Sequence, residues 1–296
     1  DGVYLDSLSY DFAANYLNLN PTHLAVALGP LTFDPDSARP AADGMQHQVS
    51  FVRWLRDRLV PQGKLLKGNL FGISHRFHAG LIDVFGSEVG SFGGKRHMDL
   101  VEEDESCCLK RFYACRRPVC NLLQEGNYEK PAPELTQEQI KRYIDHQLFY
   151  AFYPGVSTIG GEEKPGYSGW KRYFRGGTQC ERDRSLFQEA VPLIRRLNQA
   201  GWQPETGARC DGDVVLVERY GGKGTGESLI ALRNPTPGAV RTTLRLDAKT
   251  LELPPNGPGL ALAAVRAGAT TPVPAGEPYA FAIALAPWET SVLRLE

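Results

Sequence analysis

The stretch Gly2-Val3-Tyr4-Leu5-Asp6-Ser7 is a short apolar run that ends in an acidic residue. Four more short runs follow it, at residues 64–69, 83–86, 118–123 and 151–153. Each run is followed by a segment long enough to form a helix. Short apolar runs that alternate with amphipathic segments are typical of βα units around a parallel sheet. The first two hundred residues therefore predict five such units.

The segments between the runs carry helix signals. Helices are predicted at residues 45–59, 77–81, 102–116, 136–148 and 182–200. In the last of these, Leu186, Ala190 and Leu197 recur on one face, and Gly201 follows as a helix end. The Asn- and Pro-rich segment between the first run and Pro40 predicts a long loop.

From about residue 208 the pattern changes to short β-type runs separated by Gly, Pro and Asn. They lie at residues 214–217, 229–232, 242–246, 280–285 and 290–295. Closely spaced strands with turn signals between them predict an antiparallel β-sandwich. The expected domains are residues 1–207, in the βα region, and residues 208–296, in the sandwich.

Five parallel strands leave open sheet edges, which proteins usually avoid, and an eight-stranded barrel closes them. The alternative, an open doubly wound sheet, lacks its G-x-G-x-x-G or P-loop fingerprint here. The expected fold class is therefore α/β, a (β/α)8 TIM barrel of which the C-terminal five βα units are present, followed by an antiparallel β-sandwich. Because the sequence begins at Asp1 within a strand, we expect three further units before it, and the localisation is left open.

The composition is that of an ordinary globular protein, with 42% hydrophobic and 23% charged residues. A formal net charge of -1 gives no indication of nucleic acid or of an anionic membrane as a partner. No apolar run approaches the roughly 18 residues of a membrane-spanning helix. The six cysteines lack zinc-site spacing, and the histidines form no metal-binding motif. We expect no metal, no cofactor and no disulfide framework, and the oligomeric state is left open.

Active-site residues of barrels lie at the carboxyl ends of strands. The last polar residues of the five runs are Asp6, Asn69, Glu88, Asn121 and Ser157. Two of them are carboxylic acids, the pair that hydrolysis of a glycosidic bond commonly requires. The sequence therefore predicts Asp6 and Glu88 as catalytic residues, on strands two apart in sequence order.

Each assignment has an alternative. Asp6 could bind loop amides at a strand end, although an ionisable group directly after a buried run is costly without a partner. Glu88 could be a surface acid of the Gly-rich loop 86–94, although glycines also let backbone turn tightly beneath a ligand. Asp83 and Asp11 are the competing acids, the first at a strand start and the second in a loop.

Other residues at the predicted mouth of the barrel suit sugar binding. Asn69 and Asn121 could hydrogen-bond sugar hydroxyls, and His75 could do so from the second loop. Trp170 and Tyr173 follow the fifth run, where aromatic faces form platforms for sugar rings. For the histidine and the aromatic residues the alternative is packing of their loops.

The sequence also resembles a known group. The segments Gly2-Val3-Tyr4-Leu5-Asp6-Ser7, Lys64-Leu65-Leu66-Lys67-Gly68-Asn69 and Asp83-Val84-Phe85-Gly86-Ser87-Glu88 look like the strand ends of bacterial glycoside-hydrolase-like barrels. So do Ala200-Gly201-Trp202-Gln203-Pro204 and Pro287-Trp288-Glu289-Thr290, so that the resemblance covers nearly the whole chain. It implies a barrel followed by a β-sandwich.

The position of Asp6 resembles that of the nucleophile in retaining α-glycosidases, the clan of α-galactosidases and α-glucosidases. In that clan the nucleophile ends strand four, and the acid/base on strand six is an Asp. If Asp6 ends strand four, Glu88 ends strand six, and a Glu at this place is more like dextranase-type enzymes. The sugar and the linkage stay open.

Three functions follow from these observations. The leading hypothesis is a retaining glycoside hydrolase that acts on an oligosaccharide or glycoside, with Asp6 as nucleophile and Glu88 as acid/base. The second is a non-catalytic carbohydrate-binding barrel. The third is a barrel enzyme of another class, a lyase or an isomerase.

Overall fold

The structure is a computed structural model that describes most of the chain. The described residues are 2–9, 17–27, 29, 31–71, 75–89, 102–125, 135–158, 178–222, 226–253, 261–265, 270–272 and 279–295. The chain forms two compact units, Asp1–Leu122 and Leu123–Glu296. None of the described helices combines the length and the apolar character needed to cross a membrane.

The parallel sheet predicted from the sequence is present with five strands. In sheet order these are β1 (Gly2–Ser9), β5 (Leu65–Phe71), β6 (Val84–Glu88), β7 (Val119–Glu125) and β8 (Tyr153–Thr158). Sheet order equals chain order, as expected for consecutive βα units. The barrel geometry and the domain boundary at residues 207 and 208 stay predictions.

The predicted helices between the runs are present within a few residues of their expected ends. They are α2 (Gly44–Leu59), α3 (His75–Ala79), α4 (Asp104–Ala114), α5 (Gln137–Tyr150) and α6 (Thr178–Ala200). Local caps fix several ends: Asp43 accepts a hydrogen bond from the backbone of Met45, and Thr136 and Gln139 form a capping box. A single-turn 3₁₀ helix, Val60–Gln62, follows α2 and ends at Gly63, which has a left-handed φ of 64°.

One expectation was wrong, the continuous loop between the first run and Pro40. The described part of this segment contains β2 (Leu17–Asn18), α1 (Pro21–Leu24), β3 (Leu31–Phe33) and β4 (Pro40–Asp43). The three strands form a small antiparallel sheet in the order β2-β4-β3. Strands of two to four residues are too short to produce a readable alternation of polar and apolar residues.

The second unit carries two antiparallel sheets after α6. Their strands are β9 (Trp202–Gln203), β10 (Ala208–Cys210), β11 (Leu216–Gly221), β12 (Ser228–Arg233), β13 (Val240–Leu246), β14 (Ala261–Ala264), β15 (Thr270–Pro272), β16 (Ala280–Leu285) and β17 (Thr290–Leu295). One sheet has the order β10-β13-β16 and the other β15-β14-β17-β12-β11-β9. Ile230, Leu232, Leu244 and Phe281 are fully buried in the shared core. This is the predicted sandwich, and it also includes β9, which precedes residue 208.

Strand β12 is buried on both faces. Leu229 and Ala231 are fully buried and alternate with Ile230 and Leu232, which lie in the sandwich core. The face that carries Leu229 and Ala231 packs against α5 and α6. Within this unit the six-stranded sheet is therefore covered on one face by helices and on the other by the three-stranded sheet.

A buried hydroxyl joins α5 to this sheet, because Thr290 Oγ1 donates to the carbonyl oxygen of Asp145 at 2.6 Å. We expect Thr290→Val to lower the free energy of unfolding by about 1 kcal/mol, since the shape is kept and a buried hydrogen bond is lost. Thr242→Val is the matched control, because the hydroxyl of Thr242 makes the same kind of bond, to Asp211, at the surface. The midpoints of urea denaturation measure both effects, and equal midpoints would contradict the prediction.

The parallel sheet has one position where only glycine fits. Gly86 pairs with Asn69, and a Cβ atom at Gly86 would lie 2.5 Å from the carbonyl oxygen of Gly68. We expect Gly86→Ala to lower the free energy of unfolding by about 1–3 kcal/mol, because backbone atoms must move. In Gly80→Ala the new Cβ meets no atom within 4 Å, and we expect a change below about 0.5 kcal/mol. Thermal denaturation of both variants checks this, and an unchanged Gly86→Ala melting temperature counts against it.

Candidate active site

The two faces of the parallel sheet differ in chemistry. The register aligns Tyr4 with Lys67, and Asn69 with Gly86 and then Cys120. Aligned residues of neighbouring strands point to the same face, and alternate residues along a strand share it. The face that carries Tyr4, Lys67 and Asn69 is therefore polar. The opposite face carries buried Leu66, Leu70, Phe85 and Val119.

The side chain of Asn69 joins the two predicted catalytic acids. Its Nδ2 atom donates to Asp6 Oδ1 at 3.0 Å and to Glu88 Oε1 at 3.0 Å. An amide nitrogen carries two hydrogens, one for each carboxylate. Asn69 is only 4% exposed, so its rotamer is held by the surrounding packing. The three residues come from β1, β5 and β6, three strands that are neighbours in the sheet.

The separation of the two carboxylates follows from this bridge. Asp6 Oδ1 and Glu88 Oε1 each lie 3.0 Å from the same nitrogen, so they are at most twice that distance, 6.0 Å, apart. Carboxyl groups about 5–5.5 Å apart are typical of retaining glycosidases, and those of inverting enzymes are about 6.5–9.5 Å apart. The geometry therefore leaves no room between these two oxygens for the water that inversion needs.

Tyr4 is a member of this site that the sequence reasoning missed. Its hydroxyl donates to Asp6 Oδ1 at 3.0 Å. Partial burial, and next the negative charge of Asp6, raise the pKa of Tyr4 well above its ordinary value. The phenol therefore stays a hydrogen-bond donor throughout the neutral range. The signal in the sequence was its place two residues before Asp6 on the same strand, hence on the same face.

Lys67 is a second member that was missed, two residues before Asn69. Its Nζ atom donates to Cys120 Sγ at 3.3 Å and lies 5.3 Å from the centroid of the Tyr4 ring. The ammonium group brings a positive charge to the face that carries both carboxylates.

Asn121 lies elsewhere. It pairs with Ser87, so its side chain points to the face opposite to that of Glu88. It is fully buried, its Oδ1 accepts from Lys110 Nζ at 2.9 Å, and its Nδ2 donates to Glu102 Oε2 at 3.2 Å. The structure thus does not bring Asn121 to the pair of carboxylates, and the hypothesis that it binds substrate is not carried forward.

The remaining candidates lie partly inside and partly outside the described residues. Asp83 starts β6, where it accepts from the backbone of Leu66 at 2.8 Å and forms an ion pair with Arg56 at 3.0 Å. This is a structural role at the strand end remote from Glu88. Outside the described residues or side chains lie Asp11, the side chains of His75 and Ser157, and the aromatic residues Trp170 and Tyr173.

His78 lies on α3 and is fully buried. Neither ring nitrogen has a hydrogen-bond partner in the described part of the chain, and burial lowers the pKa of His78. The unfolded chain therefore takes up a proton first as the pH falls through about 6.5, the ordinary histidine value. It follows that stability is present above this pH and is lost below it.

We expect His78→Leu to remove this dependence. Between pH 7.5 and pH 5.5 the parent should lose stability relative to the variant, by up to about 1.4 kcal/mol per pH unit. Denaturant titrations of both proteins across this range measure the difference. Parallel curves of stability against pH would show that His78 does not titrate in this way.

Comparison with known proteins gives a match in structure alone. No family model matches the chain, and no curated protein matches it in sequence. AmyP in complex with maltose is similar with a TM-score of 0.51 at 12% identity, covering 99% of this chain and 74% of AmyP. The α-amylase of Geobacillus thermoleovorans complexed with acarbose has a TM-score of 0.48 at 13% identity, covering 94% of this chain and 73% of the amylase.

A GH27 β-L-arabinopyranosidase from Geobacillus stearothermophilus is similar with a TM-score of 0.45 at 11% identity. The match covers 84% of this chain and 54% of the arabinopyranosidase, so the chain spans about half the length of that enzyme. The similar structures are glycoside hydrolases, and the chain has a glycoside-hydrolase-like fold. At these identities the likeness concerns the fold alone.

Proposed function

We propose that this protein is a retaining glycoside hydrolase in which Asp6 is the nucleophile and Glu88 is the general acid and base. The observation that carries the proposal is the bridge by Asn69, which holds both carboxylates on one polar face at most 6.0 Å apart. A glycoside-hydrolase-like fold supports it independently.

The first step forms a covalent intermediate. Asp6 attacks the anomeric carbon, the bond from that carbon to the leaving oxygen breaks, and Glu88 gives its proton to this oxygen. The negative charge of Asp6 favours a proton on nearby Glu88 before the step. Asn69 and Tyr4 donate hydrogen bonds to Asp6 and aim it at the carbon.

The second step restores the enzyme. Glu88, now a carboxylate, takes a proton from a water molecule whose oxygen attacks the anomeric carbon. The ester bond to Asp6 breaks, and its electron pair returns to the carboxylate. Two displacements at one carbon retain the anomeric configuration.

The substrate is proposed to be an oligosaccharide or a glycoside. The parallel sheet is proposed to belong to a (β/α)8 barrel, with β1 and β6 as alternate strands and with residues 208–296 as the sandwich domain. In such a barrel the polar face of the sheet lines the interior, where side chains of alternate strands meet at the mouth.

The test is hydrolysis followed by the stereochemistry of its product. The purified protein is incubated with 4-nitrophenyl α- and β-glycosides of glucose, galactose, xylose and L-arabinose, and with maltooligosaccharides because AmyP binds maltose. For a substrate that is cleaved, proton NMR identifies the first anomer released, which we expect to be that of the substrate. Release of the opposite anomer would overturn the retaining mechanism. Binding of these sugars without any turnover would favour a carbohydrate-binding protein.

A further inference from the structure

An ammonium group is buried directly behind Glu88. Lys110, on α4, is fully buried. Its Nζ atom donates to the backbone carbonyl oxygen of Glu88 at 2.7 Å, to Glu102 Oε2 at 2.6 Å and to Asn121 Oδ1 at 2.9 Å. A lysine ammonium has three hydrogens, which these three acceptors match.

The partners of Lys110 are themselves fixed by further hydrogen bonds. Glu102, whose side chain is also fully buried, accepts from Ser106 Oγ at 2.6 Å and from Asn121 Nδ2 at 3.2 Å. The cluster therefore joins the residues just before α4, the helix itself and β7. Its third external attachment is the end of β6, at the Glu88 carbonyl.

Stability alone does not account for such a cluster. Removing a lysine and a glutamate from water costs several kcal/mol each, and apolar residues of similar volume are often as stabilising as a buried ion pair. Burial lowers the pKa of Lys110, and the negative charge of Glu102 opposes this effect. A buried ion pair of this kind indicates a demand for defined geometry at whatever it touches.

The geometry that it defines is the peptide group after Glu88. The carbonyl oxygen of this group accepts from Lys110, and its N–H, which belongs to Val89, donates to the carbonyl oxygen of Leu122 at 2.9 Å. The last peptide of β6 is thus held at both ends, and it cannot rotate without breaking two hydrogen bonds. The Glu88 side chain leaves this fixed backbone towards Asn69.

We propose that Lys110, supported by Glu102 and Asn121, is a positioning residue that holds Glu88 in the orientation needed for proton transfer. The inference rests on the proposed function of Glu88 as acid and base. Lys110 lies behind the sheet and acts through the backbone of Glu88.

The test uses Lys110→Met and Lys110→Met/Glu102→Met in the full chain. The double variant removes both charges, so it avoids leaving Glu102 buried without the lysine. Arg56→Met is the control, because it removes another ion pair of the same unit, the one with Asp83, which does not touch Glu88. Phenyl and 2,4-dinitrophenyl glycosides of a sugar that the parent hydrolyses are the substrates.

Proton donation matters for phenol, a poor leaving group, and hardly matters for 2,4-dinitrophenol. We expect both Lys110 variants to lose kcat on the phenyl glycoside by about 10- to 100-fold, as misplacement by about 1 Å does. On the dinitrophenyl glycoside the rate of aglycone release should stay within about threefold, with KM unchanged. A merely structural role would lower both rates by one factor, which would overturn the proposal.

A second measurement does not depend on activity. Crystal structures of the variants are compared at the Glu88–Asn69 contact, which is 3.0 Å in the parent. Loss of this contact supports the proposal, and an unchanged contact overturns it. Failure of both Lys110 variants to fold would also overturn it, since the cluster would then be purely structural. A parent that cleaves no glycoside overturns the proposed function, while the crystal structures still decide whether Lys110 orients Glu88.

Discussion

Replacing Asp6 by Asn is expected to slow hydrolysis on the order of 10⁴-fold or more, the largest effect of any single change in this protein. Asn keeps the shape of Asp and its contacts with Tyr4 and Asn69, but it has no negative charge with which to attack the anomeric carbon. Removing the nucleophile of a covalent mechanism typically costs several powers of ten in kcat. Initial rates on the best substrate of the glycoside panel measure the loss.

The same variant should be no less stable than the parent. Asp6 and Glu88 carry like charges at most 6.0 Å apart, and removing one charge relieves their repulsion. We therefore expect an equal or higher melting temperature, the usual sign of an active site in which stability is given up for function. Asp57→Asn, at an exposed position of α2, is the matched control and should leave both rate and melting temperature unchanged.

Azide distinguishes loss of the nucleophile from other damage at Asp6. In Asp6→Asn the azide anion can occupy the space beside the anomeric carbon and displace the leaving group, which still receives its proton from Glu88. A single displacement inverts the configuration, so the product should be a glycosyl azide of the opposite anomer. If Asp6→Asn hydrolyses glycosides at the parental rate, Asp6 is not the nucleophile.

The site was predictable from the sequence where the strand end and the face agreed. Asp6, Asn69 and Glu88 each follow a short apolar run, and all three side chains reach one polar cluster in the structure. The same rule chose Asn121, which is also near the end of its strand but points to the other face. A position near a strand end does not reveal the face, because a shift of one residue reverses it.

The positioning cluster carried a signal that the sequence reasoning did not use. Cys107, Lys110 and Ala114 are spaced by three and four residues, the interval that puts side chains on one face of a helix, and all three are buried. A lysine in such a stripe predicts a buried charge and hence a partner. The identity of the partners could not be predicted, because Glu102 and Asn121 meet Lys110 only through the packing of α4 on the sheet.

The fold was predictable where the elements are long and periodic. Helix α6 contains 23 residues, with Ala190, Ile194 and Leu197 fully buried on one side, and such a pattern is readable without a structure. The sandwich strands β9 and β10 have two and three residues. Their existence depends on pairing with distant strands, which local sequence does not encode.

The effect of replacing Glu88 by Gln should depend on the leaving group, and this dependence would identify Glu88 as the acid. Gln cannot give a proton to the departing oxygen, so we expect the phenyl glycoside to react about 10²- to 10⁴-fold more slowly. For the 2,4-dinitrophenyl glycoside the first step should stay near the parental rate, because that aglycone leaves without a proton. The second step should become slow, because no carboxylate is present to take a proton from water.

This combination should give a burst of dinitrophenol followed by slow turnover, as the glycosyl ester of Asp6 accumulates. Azide should then accelerate turnover, because it is already an anion and needs no base to attack the anomeric carbon. It displaces Asp6 in a second displacement, so the glycosyl azide should keep the anomeric configuration of the substrate, opposite to the product of Asp6→Asn. Azides of one configuration from both variants would contradict the assigned roles, whereas opposite configurations would assign Asp6 as nucleophile and Glu88 as acid and base.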